Sequence, residues 1–277
     1  MTWDRWEPFY DDGRVTLYCG EVEDLALDDR GGGCVAAVVT SPPYNVGLDY
    51  ADDPAGDALA WDEYRDLTRS AVDVVRWALA RGGRAWVNTA VAVPFTPGAP
   101  TGRKRRVLLG AWWAAAMAAG GLEMVDQVAW TSLRGSGTAW GSWQSPAAPN
   151  LRGDHEVITV ACRDGWERQA PAGMEGWRDT AGDWPALCST VWNIAPATGP
   201  ERAGHPAPFP VELARRCIRL SSWPGEVVFD PFAGTGTTLL AAVQLGRRAV
   251  GIERSEQYCA LAVDRLAQGA LDFGGAA

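Results

Sequence analysis

The chain has 277 residues. That length suits one large domain, or one domain with an insertion, and buries ~75% of its unfolded surface without help from metal or disulfides. Hydrophobic residues make up 47% and charged ones 21%, which excludes a disordered polypeptide, and the net charge of −9 argues against a protein that coats nucleic acid indiscriminately while leaving room for a localised basic site.

The six cysteines contain no Cys-x-x-Cys pair and no regular spacing, so neither a zinc framework nor a disulfide scaffold is expected. Met1 is followed by Asp4, Arg5 and Glu7, which is not a secretory leader, and no apolar run approaches the ~20 residues that span a bilayer. These features predict a soluble cytoplasmic protein with no metal and no membrane contact.

Strand-like and helix-like runs alternate along the chain. Val15–Cys19 reads as a strand ending at Gly20. The unbroken apolar run Val35–Val39 reads as a strand covered on both faces, stopped by Thr40-Ser41-Pro42-Pro43. From Trp61 to Leu79 apolar residues recur at helical spacing, with Gly82-Gly83 as the stop. Short strands are expected at Arg84–Asn88, Glu123–Trp130 and Glu156–Cys162, with a helix at Val107–Ala119. Residues 132–153 and 163–204 show no sustained periodicity. The second stretch is too long for an ordinary connection and reads as a functional insertion or small subdomain.

Order returns with a helix from Pro210 to about Ser221. There follow a strand at Glu226–Phe229, a glycine-containing turn at 230–236, a helix at Thr237–Leu245, a strand at Ala249–Ile252 and a last helix at Glu256–Ala267. This alternation predicts an α/β fold with a mostly parallel sheet and helices on both faces.

Two segments carry chemistry. Between a strand and a helix, the turn from Phe229 to Thr238 uses glycines to bend sharply and admit a ligand close to the main chain. Glu253 ends the next strand, where an acidic group bonds the hydroxyls of a ribose. A dinucleotide would want a small residue where Leu239 stands, and a phosphate loop would need a lysine that is absent. An adenosine cofactor without phosphates fits best.

The second segment is Thr40-Ser41-Pro42-Pro43-Tyr44, at the carboxyl end of an apolar strand, the edge where open α/β sheets bind ligands. Its prolines fix the backbone and leave the Pro42 carbonyl without a competing helix or sheet bond. That arrangement suits methylation of an exocyclic amine, whose lone pair is delocalised into the ring. The Ser41 oxygen and the Pro42 carbonyl can accept from the two amino protons, while Tyr44 offers a flat face to an extruded base.

Asp230-Pro231-Phe232-Ala233-Gly234-Thr235-Gly236-Thr237-Thr238 resembles the S-adenosylmethionine motif of amino-methylating DNA methyltransferases, and Ser41–Tyr44 resembles their Ser-Pro-Pro-Tyr motif. The catalytic motif precedes the cofactor motif, as in the permuted class of that family. The resemblance implies a Rossmann-like methyltransferase fold with S-adenosylmethionine held by Thr40, Asp230, Phe232, Gly234, Thr235, Gly236 and Glu253. Glu21 would lie near the adenine, and His205, Pro206 and Phe209 would close over the cofactor. Serine at the first motif position accompanies cytosine-N4 methylation, aspartate adenine-N6. The Pro-Cys dipeptide of carbon-5 enzymes is absent, which excludes that reaction.

The resemblance therefore implies a cytosine-N4 DNA methyltransferase. The alternatives are an adenine-N6 enzyme, a non-catalytic cofactor- and DNA-binding subunit, or an enzyme acting on RNA. The chain reads as one domain: a catalytic half (1–162), a candidate target-recognition insertion (163–204) and a cofactor half (205–277). Arg103, Lys104, Arg105, Arg106, Arg134 and Arg152 are candidate contacts to double-stranded DNA, with Arg163 and Arg168 as further possibilities. A monomer or homodimer is expected, with any cognate restriction endonuclease acting separately.

Overall fold

The computed structural model describes residues 7–25, 27, 32–48, 57–95, 105–131, 141–149, 151, 153–199 and 208–273. Its strands are β1 (Tyr10–Asp11), β2 (Val15–Cys19), β3 (Val35–Thr40), β4 (Leu79–Ala90), β5 (Val93–Pro94), β6 (Arg106–Val107), β7 (Glu123–Thr131), β8 (His155–Cys162), β9 (Val191–Asn193), β10 (Val227–Asp230) and β11 (Arg248–Glu253). Its helices are α1 (Trp61–Ala78), α2 (Leu109–Ala119), α3 (Trp184–Leu187), α4 (Val211–Arg219), α5 (Thr237–Gln244) and α6 (Glu256–Phe273). Among the described residues no helix is long and apolar enough to cross a membrane.

Nine strands form one sheet in the order β1-β2-β11-β10-β3-β4-β8-β7-β9. The five from β2 to β4 are mutually parallel. β8 runs antiparallel to both its neighbours, so the chain doubles back between β7 and β8 and needs no crossover to the far end of the sheet. Helices cover both faces. Ala37 and Val39 of β3 point into a cluster with Leu213, Cys217, Leu239 and Ala262 of α4, α5 and α6. Val35 and Val38 point the other way, to Tyr64 and Val75 of α1 and Trp113 and Met117 of α2. That is why β3 reads as an uninterrupted apolar run.

β10 and β3 are neighbours, but the chain leaves them in opposite directions, to β11 and to β4. At such a reversal the crossovers depart on opposite faces and a crevice opens beyond the strands' carboxyl ends. The segments after Thr40 and after Asp230, far apart in sequence, meet there.

Three expectations are corrected. Gly82-Gly83 does not stop a helix: α1 ends at Ala78 and β4 begins at once, Leu79 pairing with Val35 and Arg84 with Ala37, so that residues 80–83 form an irregularity within β4 where the register against β3 shifts. Gly82, at φ +71, is instead pressed against the Glu167 carbonyl, which a Cβ would approach to 2.6 Å. Second, α2 starts at Leu109 rather than Val107, because Arg106 and Val107 pair with Val93 and Pro94.

Third, 163–204 is not wholly separate from the sheet: Val191–Asn193 joins it as β9, and further residues are tied to its body. Trp192 on β9 is buried in the core, its Nε1 donating to the Leu187 carbonyl at 3.1 Å. Arg163 donates to the Leu79 carbonyl at 2.6 Å, Arg168 pairs with Glu226, and Arg219 pairs with Asp179 at 2.7 Å. Arg163 and Arg168 thus serve internal bonds. These anchors hold 163–182 at the amino-terminal ends of β4 and β10, the edge away from Ser41.

Candidate active site

A cavity of about 350 Å³ opens at the carboxyl ends of β2, β3, β10 and β11. Ser41, Pro42, Pro43 and Tyr44 line one side, and Phe232, Gly234, Thr235 and Glu253 the other, with Glu21 and Phe209 also in the wall. The structure therefore brings both sequence motifs to one cavity. Glu21, Glu23 and Glu253 stand in its wall against Arg254, a balance that suits a neutral or cationic ligand rather than a polyphosphate. Among the described residues no cluster of His, Cys, Asp and Glu could hold a metal ion.

Asp230, expected to line the cavity, lies beneath it at 1% exposure. Its Oδ1 accepts from Thr40 Oγ1 at 2.6 Å and from the Phe232 amide at 3.0 Å, tying the end of β3 to the turn after β10. Burial pushes its carboxyl up to about 6, against the opposing pull of these donors. Thr40 and Gly236 likewise support the site from below. Gly236 sits at φ +76, and a Cβ there would meet Ala262 at 3.0 Å.

Glu253 is held on both oxygens: Oε2 accepts from the Gly234 amide at 2.7 Å and Oε1 from the Ser255 amide at 2.9 Å. Two backbone donors fix the carboxylate beside the glycine turn while lone pairs remain for a ligand's hydroxyls. Burial raises its pKa.

Opposite, Tyr64 holds the proline pair. It is fully buried on α1, donates to the Pro43 carbonyl at 2.7 Å and accepts from Trp113 Nε1 at 3.1 Å. Among the described residues nothing bonds the Pro42 carbonyl, which keeps it available as an acceptor. Replacing Tyr64 by Phe leaves the Pro43 carbonyl and the Trp113 indole unpaired, so urea denaturation is expected to show a loss of about 1–3 kcal/mol.

Ser41 Oγ donates to Tyr44 Oη at 3.1 Å, and Tyr44 donates to Glu156 Oε2 at 2.7 Å. Asn88 Nδ2 donates to Tyr44 Oη at 2.9 Å and to Glu156 Oε2 at 2.7 Å. Burial raises the Glu156 pKa and these donors lower it. Neither Asn88 nor Glu156 stands out in the sequence. The available signal is a carboxylate heading an otherwise apolar strand.

Asp57 is likewise missed by sequence reading. Its carboxylate accepts from the amides of Asn45 and Val46, and its carbonyl from Gly47, closing the neck of the loop that follows Tyr44. Asn45, at φ +57, clasps Leu59 through both amide atoms. Burial pushes Asp57 up to about 6.

Of the candidate DNA contacts, Arg105 and Arg106 are exposed at the β5–β6 hairpin, and Arg106 donates to the Ala92 carbonyl at 2.8 Å. Arg103, Lys104, Arg134, Arg152, His205 and Pro206 lie outside the described residues.

A family model described as DNA methylase matches residues 35–264. The Type II methyltransferase M.SmaI of Serratia marcescens is 30% identical over 257 residues, covering 83% of each chain. The Type II methyltransferase M.ScaI of Streptomyces caespitosus is 29% identical over 280 residues, 94% of this chain and 84% of that one. Among solved structures, TTHA0409 of Thermus thermophilus complexed with S-adenosyl-L-methionine superposes with a TM-score of 0.69 at 27% identity, covering 93% of this chain and 96% of that one. The PvuII DNA methyltransferase (cytosine-N4-specific) also reaches 0.69, at 19% identity over 94% of this chain and 89% of that one, a likeness of fold.

Proposed function

The chain belongs to this DNA methylase family, and on that premise we propose that it transfers a methyl group from S-adenosylmethionine to the N4 amino group of a cytosine turned out of duplex DNA. The observation that carries the reading is Ser41 with a Pro42 carbonyl that no described residue bonds, in the same cavity wall as Tyr44 and across from the Gly234–Glu253 cradle. Serine in the first motif position is what supports cytosine over adenine.

S-adenosylmethionine, when bound, supplies a methyl group already activated on a sulfonium. Glu253, with both oxygens fixed by backbone amides, bonds the ribose hydroxyls. Phe209, Phe232 and Glu21 complete the walls, and Asp230 with Thr40 sets the spacing between the two halves. On the substrate side, Ser41 Oγ and the Pro42 carbonyl accept from the two amino protons, drawing the nitrogen towards tetrahedral geometry, and Tyr44 stacks on the base.

DNA meets the sheet's carboxyl edge, so the described residues that follow Tyr44, Ala90, Thr131 and Asn193 there are the recognition candidates. The segment 163–204 contributes through its last residues only. Arg105 contacts a phosphate: Arg105→Ala is expected to weaken duplex binding across sequences and lower the salt slope of log K by about 0.9, read by fluorescence anisotropy over a salt series. The Type II names of the relatives support a separate restriction endonuclease as a functional companion.

Mass spectrometry of nucleosides from DNA of cells expressing the protein tests the assignment. N4-methylcytosine, absent when Ser41 and Tyr44 are both replaced by Ala, is expected. N6-methyladenine would overturn the base while keeping the family, and neither base would move the substrate to RNA or the role to binding alone.

A further inference from the structure

The hydrogen bonds beneath the catalytic motif run one way. The single hydroxyl proton of Ser41 points to Tyr44 at 3.1 Å, with the Asn88 carbonyl at 3.3 Å as its alternative. In both arrangements the proton is taken up by the protein, and Ser41 keeps only lone pairs to offer a substrate. The Tyr44 proton goes to Glu156 at 2.7 Å, and Asn88 steadies both acceptors. A carboxylate terminating a chain of hydroxyls polarises each member, strengthening the first as an acceptor.

Amine methylation leaves one proton to place. The nitrogen's lone pair forms the new N–C bond, the carbon–sulfur bond breaks with its electrons on sulfur, and the nitrogen then carries a surplus proton. We propose that Glu156 is the positioning residue of the catalytic motif and the terminal acceptor of that proton, which reaches it through Ser41 and Tyr44. The amine gives its proton to Ser41 Oγ as Ser41 passes its own to Tyr44 Oη and Tyr44 passes its own to Glu156, which ends as the neutral acid. Half-buried Glu156 then returns the proton to water. Burial, by raising the carboxyl's proton affinity, favours the transfer.

Among the described residues Glu156 is the carboxylate that accepts from the Tyr44 hydroxyl, whereas Asp57 bonds this segment only through backbone amides. Glu156 bonds Tyr44 and Asn88 and faces Ala90 on β4 and Trp130 on β7. Its neighbours His155 and Asp154 are exposed and bond each other at 3.0 Å. The proposal rests on Ser41 facing the target amine and holds for cytosine or adenine alike.

The test uses the full chain, tritiated S-adenosylmethionine and duplex DNA from cells lacking amino-methylated bases, in single turnovers between about pH 5.5 and 9. The wild-type rate is expected to fall as pH drops through the Glu156 titration. Glu156→Gln should lower the rate roughly 100-fold, leave cofactor affinity within about twofold and remove that acid limb, and Glu156→Asp should restore part of both. A Glu156→Gln rate within about threefold of wild type, or a reduced rate with the wild-type pH profile, would overturn the proposal. Tyr44→Phe keeps the ring and breaks the chain, so it decides the matter if Glu156→Gln fails to bind cofactor. It should lose the same limb, and a wild-type rate and profile would overturn the relay. A wild-type protein that methylates no DNA would instead refute the reaction assigned above, before any variant is compared.

Discussion

Ser41→Ala is expected to lower the methylation rate by about 10³-fold while leaving S-adenosylmethionine affinity within about twofold. Ser41 shares a cavity wall with the prolines and Tyr44, whereas the proposed cofactor contacts come from the turn after β10 and from Glu253. Removing one hydroxyl therefore takes away an acceptor for the target amine without touching the cofactor cradle. The methyl side chain of alanine fits the same space, so the fold is unaffected. The Pro42 carbonyl remains and accounts for the residual rate. Single-turnover methylation beside calorimetric cofactor binding separates the two effects, and a variant retaining a tenth of the rate would remove Ser41 from the reaction.

Asp230→Ala is expected to destabilise the protein by about 2–4 kcal/mol and to abolish cofactor binding together with activity. It leaves Thr40 Oγ1 and the Phe232 amide without their acceptor, at the point where the two halves of the site are tied together. The same residue makes stability depend on pH in an unusual sense. Its folded pKa of about 6 lies above the ordinary 3.8, as does that of Asp57, because burial outweighs the donors around each. The folded protein therefore holds these protons where the unfolded chain has lost them. The stabilisation is complete below 3.8 and is lost as pH rises through about 6. Lowering the pH from about 7.5 to 5.5 should raise the melting midpoint of the cofactor-free protein by a few degrees. Asp230→Asn and Asp57→Asn should each shrink that rise. A midpoint that falls over this interval would contradict it.

Arg163 and Arg168 show where sequence reading fails outside the motifs. Both sit in an aperiodic, tryptophan-rich stretch, and a solvent-facing role follows naturally from that setting. Their partners, the Leu79 carbonyl and Glu226, belong to segments distant in sequence, so no local pattern announces them. β9 is hidden for a related reason. Three residues carry no measurable alternation, and it is a strand only because β7 offers an edge to pair with.

Local sequence carries the alternation of strands and helices, the apolar β3, the glycine turn with Glu253 beyond it, and the proline motif at a strand end. Each of these is written in neighbouring residues, through side-chain periodicity and the backbone limits of Gly and Pro. Tertiary structure alone decided which residues stand behind them. Strand order puts Thr40 on Asp230, α1 carries Tyr64 to Pro43, and the reversed strand β8 delivers Glu156 to Tyr44. Such meetings depend on sheet register and helix packing, which are set by the burial of the whole chain and leave no mark on the residues either side of each contact.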